Sequence, residues 1–149
     1  MNYHRHYSAI KSRIETCLVG GGAFGQSFLA QARFIRLMSA RIVVDLTPEA
    51  AGAALLAAGY DRANIRTCVT AEEARAAFSA GHAVAAGRLE TVIDLPFQIL
   101  VEATGQPEAA ALHALSAIEN KRHVLLVTKE TDSVAGPMLA QLARAAGVG

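Results

Sequence analysis

The sequence has no tryptophan, few aromatic residues and two cysteines. Aromatic side chains make up 5% of the 149 residues and apolar residues 52%, so the core must be built mostly from aliphatic side chains. Cys17 and Cys68 lie in separate apolar stretches and form no metal-ligand spacing. This excludes a disulfide scaffold and a cysteine-based zinc site, and it predicts two buried free thiols in a single domain.

Net charge is also nearly absent. With 14 basic and 13 acidic residues the formal charge is +1, which provides no field to attract nucleic acid or an anionic membrane. The first residues contain no apolar run typical of a secretory signal, and no charge-free stretch reaches the about 18 residues of a membrane span. His4 and His6 have no neighbouring ligands, so no metal site is predicted. We therefore expect a soluble cytoplasmic chain that holds any anion by local groups.

Short apolar segments alternate with stretches of helical periodicity. This alternation predicts a Rossmann doubly wound parallel sheet in a three-layer αβα arrangement. The predicted strands are 16–19, 41–45, 66–69, 98–103 and 123–127, and the predicted helices are 23–38, 48–58, 71–81, 107–120 and 136–146. Residues 82–97 fit neither pattern. Because residues 147–149 have the character of the start of another strand, we expect residues 1–149 to be the N-terminal part of a longer enzyme.

A Gly-x-Gly-x-x-Gly pattern separates the first predicted strand from the first predicted helix. Gly20 would form the tight turn, Gly22 would let a pyrophosphate approach the main chain, and Gly25 would let the helix pack closely on its strand. Ala23 and Phe24 fall in the first helical turn, where free amides and the helix dipole attract phosphate. These five residues form a predicted dinucleotide site. A glycine-rich turn with a purely structural role is the alternative.

Asp45 ends the second predicted strand, twenty residues after the last glycine of the pattern. A carboxylate at this place accepts hydrogen bonds from the adenosine ribose hydroxyls, and the adjacent Leu46 belongs to the same predicted site. The alternative role of Asp45 is a helix cap or a turn residue. NAD is favoured over NADP because residues 46–61 contain no basic side chain to neutralise a 2′-phosphate. Arg41 or Arg66, folded toward the site, would weaken that preference.

Two further loops follow predicted strands and should meet at the same edge of the sheet, near the nicotinamide. One carries Thr104 and Gly105, and the other carries Thr128 and Lys129. Glu102 lies within an apolar strand, so it is either buried with a hydrogen-bond partner or directed at the cofactor. The isolated His113 and His123 are expected at the surface or at the edge of the core.

Several motifs occur in an order that resembles a known family. They are Leu-Val-Gly-Gly-Gly-Ala-Phe-Gly at 18–25, Val-Glu-Ala-Thr-Gly-Gln-Pro at 101–107, Lys-Arg-His-Val-Leu-Leu-Val-Thr-Lys at 121–129, and an acidic-x-Asp pattern before Gly-Pro at 130–137. Together they resemble the NAD(P)-binding domain of homoserine dehydrogenase. In particular they are similar to the predicted homoserine dehydrogenase-like branch that carries a C-terminal SAF domain.

The resemblance implies an NAD(P)-dependent oxidoreductase that moves hydride between the nicotinamide and a small hydroxy or oxo substrate. Lys129 falls on the family's substrate-site lysine, although Thr128 replaces the asparagine that usually precedes it. The branch also includes proteins similar to deoxyxylulose-phosphate reductoisomerase, so a sugar-phosphate substrate stays open, as does homo-oligomerisation. Two other hypotheses are a non-catalytic NAD(H)-sensing module and a domain that binds S-adenosylmethionine.

Overall fold

The computed structural model describes residues 12–149, which form one parallel sheet flanked by helices. The strands are β1 (Ile14–Val19), β2 (Met38–Val44), β3 (Ile65–Cys68), β4 (Ala83–Ala86), β5 (Ile99–Glu102) and β6 (His123–Leu126). The helices are α1 (Ala23–Ala32), α2 (Pro48–Ala57), α3 (Ala71–Ser79), α4 (Pro107–Glu119) and α5 (Lys129–Ala146). Short 3₁₀ turns occupy Arg62–Asn64 and Leu89–Thr91.

The six strands are arranged in the order β3-β4-β2-β1-β5-β6. Every pairing is parallel, and β1 lies between β2 and β5, where Val19 pairs with Val44 on one side and with Glu102 on the other. The strand order therefore reverses at β1, and the carboxyl ends of β1, β2, β4 and β5 meet at one edge. The predicted Rossmann fold class is confirmed. In such sheets ligands bind outside this edge.

Both faces of the sheet are covered by apolar layers. One layer joins Cys17, Ile42 and Leu100 to α3, α4 and the segment after β4, and the other joins Leu18 and Val43 to α1 and α2. Burial on both faces accounts for the nearly continuous apolar runs of the central strands. The layers bring the loops at the carboxyl edge into fixed positions.

Both cysteines are free and buried, as predicted. Burial raises the pKa of the Cys17 and Cys68 thiols above the usual value. Since the thiolate is the reactive form, these side chains act as small apolar groups. Within residues 12–149 no helix combines the length and the apolar character needed to cross a membrane.

The largest differences from the sequence prediction occur in three parts of the chain. Helix α1 ends at Ala32 rather than at residue 38, because β2 begins at Met38 to pair with Ile14 of β1. Residues 83–86 form the strand β4, which the interrupted pattern of 82–97 concealed. The helix predicted at 136–146 begins earlier, since α5 begins at Lys129 and includes Pro137.

Pro137 interrupts the hydrogen bonding of α5 without ending the helix. A proline inside a helix removes one backbone donor and crowds the preceding turn. In α5 the helix continues through this position to Ala146, and Gly147 ends it in the left-handed conformation with φ +78°. The tail then runs beside β6, where the Val124 amide donates to the Gly149 carbonyl at 2.8 Å.

Candidate functional site

The glycine turn links β1 to α1 at the reversal point of the sheet. Gly20 has φ +101°, a left-handed conformation that favours glycine, and its amide donates to the Val44 carbonyl at 2.9 Å. Gly22 is the N-cap of α1 and provides no capping side chain, and the first turn of α1 contains no acidic residue. The first amides of α1 are therefore free to bind an anion, and the helix dipole adds a partial positive charge.

The glycines of the pattern have different steric surroundings. A Cβ atom at Gly20 would lie 2.6 Å from the Ala103 carbonyl oxygen, and one at Gly25 would overlap the Gly20 carbonyl oxygen. A Cβ atom at Gly22 would meet no atom of the described residues within 4 Å. Gly20 and Gly25 are thus required by packing, whereas the space beside Gly22 is open. An open approach to the main chain at a helix N-terminus is what a phosphate requires.

Gly21, which the pattern leaves unspecified, is also restricted. A Cβ atom there would lie 2.6 Å from the Cβ of Ala54 and 2.7 Å from Oδ2 of Asp45. The Gly21 amide donates to that same Asp45 oxygen at 2.8 Å. The three consecutive glycines therefore let the turn pack closely on α2, and they also leave the main chain open to a ligand from solvent.

Asp45 connects the two loops that follow β1 and β2. Its Oδ2 accepts the Gly21 amide at 2.8 Å and its Oδ1 accepts the Leu46 amide at 2.7 Å. A carboxylate has about four acceptor positions, so both oxygens retain lone pairs for a ligand. Asp45 therefore acts as a turn residue, which was the alternative role, and it also lines the cleft.

A cleft of about 660 Å³ opens at the carboxyl edge of the sheet. Its volume is in the range of small-molecule and cofactor sites. The residues around it come from the ends of β1, β2, β4 and β5 and from the start of α4. They are Val19, Gly20, Gly21, Gly22, Val44, Asp45, Leu46, Gly87, Arg88, Leu89, Glu90, Ala103, Thr104, Gln106, Ala109 and His113.

The cleft brings together five of the predicted site residues: Gly20, Gly22, Asp45, Leu46 and Thr104. The remaining six lie beside it and do not line it. They are Ala23, Phe24 and Gly25 in the first turn of α1, Gly105 and Thr128 in neighbouring loops, and Lys129 at the start of α5.

The residues beside the cleft differ in their contacts. The Thr128 hydroxyl accepts the Gly105 amide at 3.0 Å, which ties together the two loops predicted to lie at the nicotinamide end. Phe24 is half-exposed and stacks on Phe28 with ring centroids 6.4 Å apart. Lys129 is exposed at the N-terminus of α5.

Sequence reasoning missed the contribution of β4 and α4 to the cleft. Gly87, Arg88, Leu89 and Glu90 follow β4, and His113 projects from α4. The signal for the first group was present, since a short apolar run that ends in glycine is typical of a buried parallel strand. The residue spacing in α4 gave no such signal for His113, because its neighbours on the sheet-facing side of the helix are apolar.

The basic residues considered for NADP recognition occupy different places. Arg41 pairs with Glu15 at 3.1 Å, and Arg66 donates to main-chain carbonyls of its own loop. Within the described chain neither residue lines the cleft. Arg88 does line it, and its side chain pairs with Glu90 at 3.4 Å. The cleft therefore contains a basic group that the sequence argument did not consider.

Glu102 ends β5 and is fully buried beneath the loop that carries Thr104. Its Oε1 accepts the Thr104 amide at 3.0 Å and also the Thr104 hydroxyl. Burial raises the pKa of Glu102, but polar contacts with His113 and two threonines outweigh burial and leave the pKa below its usual value. Glu102 is therefore an ionised carboxylate with hydrogen-bond partners, which is the first of the two roles predicted for it.

No metal centre is evident in the part of the chain that the structure describes. Residues 12–149 contain no group of three or more histidine, cysteine or acidic side chains with the arrangement of metal ligands. His4 and His6 lie outside the described residues. His123 is exposed on β6 and accepts the Gly149 amide at 3.0 Å.

The fold is shared with several solved protein structures. GenD2 from gentamicin A biosynthesis, in complex with NAD, superposes with a TM-score of 0.61 at 19% identity over 93% of this chain. A homoserine dehydrogenase from Thiobacillus denitrificans gives 0.59 at 22% identity over 92%. The S. aureus homoserine dehydrogenase gives 0.56 at 17% identity over 93%. At these identities the comparison shows a common fold.

The chain matches only a portion of each of these proteins. It spans 34% of GenD2, 28% of the Thiobacillus enzyme and 31% of the S. aureus enzyme. The sequence matches no protein-family model, and it matches no curated protein significantly.

Proposed function

We propose that this chain is the NAD(P)-binding unit of an oxidoreductase. The observation that carries the proposal is the open space beside Gly22 at the uncapped N-terminus of α1, next to the Asp45 carboxylate in the same cleft. A free helix N-terminus suits a pyrophosphate, and a carboxylate at the end of the neighbouring strand suits a ribose diol. The fold shared with an NAD complex supports the same assignment.

We assign each part of a dinucleotide to a different part of the cleft. The amides of Gly22, Ala23 and Phe24 would hold the pyrophosphate, and Asp45 would hold the adenosine ribose. Beyond Asp45 the cleft continues between Leu46 and the loop after β4, where an adenine would lie. The nicotinamide would lie on the other side of β1, toward the joined loops of residues 104–105 and 128. The bound cofactor would supply the hydride chemistry.

We favour NAD over NADP for this site. A 2′-phosphate on the adenosine ribose would be placed beside the Asp45 carboxylate, which would repel it. Arg88 is the basic group that opposes this preference, but its side chain pairs with Glu90 in the loop after β4. The balance between these two charges determines the selectivity.

The exchange of Asp45 for alanine tests this balance. We expect Asp45→Ala to weaken NADH binding by about 10-fold or more, because hydrogen bonds to a charged group contribute roughly 1.5–3 kcal/mol. NADPH should lose less affinity, because the repulsive charge is removed together with the acceptor. Fluorescence titration with both nucleotides measures the change in their ratio. Asp94→Ala, at an exposed position outside the cleft, is the matched control, and a wild-type preference for NADPH would contradict the proposal.

We further propose that the substrate is a small hydroxy or oxo compound, as in homoserine dehydrogenases, and that Lys129 orients its oxygen. Thr128, the neighbour of Lys129, is tied to the loop of residues 104–105 at the proposed nicotinamide end. The side chain of Lys129 is exposed and does not line the cleft. Additional groups are therefore needed to enclose a substrate there.

The described chain alone should bind NAD(H) without substrate turnover. Hydride transfer requires the substrate carbon to be held about 3–3.5 Å from the nicotinamide, and the open cleft supplies one wall of such a pocket. NAD reduction should stay at the background rate with homoserine and related hydroxy compounds, even at high protein concentration. Substrate-dependent turnover that Lys129→Ala abolishes would show that the catalytic groups are complete in this chain.

A sensor that binds NAD(H) without catalysis is the second candidate, and the position of Lys129 outside the cleft favours it. The two candidates share the dinucleotide site and differ at the nicotinamide end. A sensor requires different affinities for NAD⁺ and NADH, which the same titrations measure.

A further inference from the structure

A buried carboxylate and an imidazole meet at the wall of the cleft, where α4 packs over the end of β5. Glu102 ends β5 and has no exposed surface, and His113 of α4 lines the cleft. Nδ1 of His113 lies 3.9 Å from Oε1 of Glu102. Within residues 12–149 neither His113 Nδ1 nor Glu102 Oε2 has a hydrogen-bond partner, although both atoms are buried. Buried polar atoms are rarely left in this condition, and each such case needs a physical reason.

The buried carboxylate determines which edge of the imidazole faces the ligand. Because Glu102 is ionised, it attracts the proton of the neutral imidazole to Nδ1. The side chain of His113 is 25% exposed while Nδ1 is buried, so the edge that carries Nε2 faces the cleft. In the neutral ring this nitrogen has a lone pair and accepts a hydrogen bond.

His113 lies on the helix that packs over β5, across the cleft from the loop after β4. Helix α4 packs on the same face of the sheet as the segment after β4, and Ala117 of α4 belongs to the apolar layer that contains Leu89. Ala109 and His113 line the cleft together with the loop after β4. That loop lies two strands from β1, on the side of Asp45. From the β5 side, the ring therefore faces across the cleft toward the loop after β4, beside which the adenine would lie.

Resting on the proposed function, we propose that His113 recognises the adenine of the dinucleotide by accepting a hydrogen bond from its exocyclic amino group, and that Glu102 is the positioning residue that orients the ring. Adenine presents a donor at this position, whereas hypoxanthine presents a carbonyl oxygen. A neutral ring with its proton on Nδ1 accepts from the first and is repelled by the second. The pair therefore confers a preference for adenine.

NAD and its deaminated analogue, nicotinamide hypoxanthine dinucleotide, provide the test. In calorimetric titrations at pH 8 we expect the wild-type chain to bind NAD about 5-fold or more tightly than the analogue, as one hydrogen bond of roughly 1 kcal/mol implies. His113→Ala should bind both equally. His82→Ala is the matched control, because His82 precedes β4 at the opposite edge of the sheet, and it should keep the wild-type ratio.

Glu102→Gln tests the positioning role through the ring itself. Nitrogen-15 NMR of the histidines should show His113 protonated at Nδ1 in the wild type and a changed tautomer ratio in Glu102→Gln, with a loss of the preference for adenine. Thermal unfolding checks that the variant is folded, and Glu119→Gln on the exposed end of α4 is its control. If Glu102→Gln does not fold, the His113 tautomer in the wild type and the ratio of the two dinucleotide affinities in His113→Ala still test the inference.

The outcomes separate this inference from the proposed function. Equal binding of the two dinucleotides by the wild type, or a preference that persists in His113→Ala, would overturn the role of His113 while the dinucleotide site stands. An Nε2-protonated ring in the wild type would overturn the role of Glu102. Absence of binding by both dinucleotides would refute the proposed function and this inference with it.

Discussion

Gly22→Val should remove NADH binding from a chain that keeps its fold. A side chain at residue 22 meets open space, and the φ of −67° and ψ of −166° at this residue are accessible to any L-residue. The added methyl groups would occupy the place where the pyrophosphate approaches the amides of α1. The loss of two hydrogen bonds to a charged group corresponds to about 100-fold or more in affinity.

Fluorescence titration with NADH measures this loss, and thermal unfolding checks the fold. The unfolding midpoint should change by a few degrees at most, since valine at an N-cap costs about 1 kcal/mol relative to preferred residues. Gly81→Val alters a glycine far from the cleft with open space around it, but its φ of +87° adds strain. Ser27→Val, at an exposed position of α1, is therefore the better control. Wild-type affinity in Gly22→Val would mean that the ligand does not approach α1.

Gly25→Val should have the opposite result, with a large loss of stability. Its Cβ atom would overlap the Gly20 carbonyl oxygen and lie 3.1 Å from Cδ2 of Leu18. Relief of this overlap requires α1 to move away from β1, and overpacking of this kind costs about 3 kcal/mol. For a chain of this size the unfolding midpoint should fall by about 6–12 °C.

The comparison of the two valine variants separates packing from ligand access. They differ by three positions in the same turn, and they carry the same side chain. Unfolding monitored by circular dichroism should rank Gly25→Val well below Gly22→Val. Equal midpoints would indicate that α1 does not pack on the turn as closely as the structure shows.

The segment from β1 through the glycine turn into α1 was predictable, because its own residues determine its structure. A buried strand, closely spaced glycines and a helical face occur within 25 consecutive residues, and Asp45 follows at the spacing that the second strand imposes. Leu18, Leu29 and Val43 then form one apolar layer. Elements of this kind can be predicted from the residues that form them.

Other parts of the site depend on contacts between distant segments. Strand β4 has the sequence Ala-Val-Ala-Ala, and all four residues are buried. Nothing in so short a run distinguishes a strand from a piece of helix, and its pairing with β2 decides the matter. Arg88 and Glu90 were missed for that reason. The pair of Glu102 and His113 is formed only when α4 packs over the end of β5.

Helix α5 shows the limit of a strong local signal. The sequence predicts a helix from residue 136, but the structure begins it at Lys129 and continues it through Pro137. Leu139 and Ala143 of this helix pack on Ala114 and Ile118 of α4. This tertiary contact outweighs the cost of the missing hydrogen bond. Lys129 is consequently held at a helix N-terminus rather than in a loop.

The central claim is that the cleft at the carboxyl edge binds the dinucleotide, and NMR titration of the nitrogen-15-labelled chain with NADH tests it most directly. We expect saturable shifts of backbone amides around the cleft, at Gly20, Gly21, Gly22, Leu46, Arg88 and Thr104. The smaller cleft of about 230 Å³ between α4, α5 and β6 provides an internal control. Amides that line it, such as those of Leu125 and Ala140, should stay unchanged. Shifts concentrated in that second cleft, or no saturable shifts in a folded chain, would contradict the account.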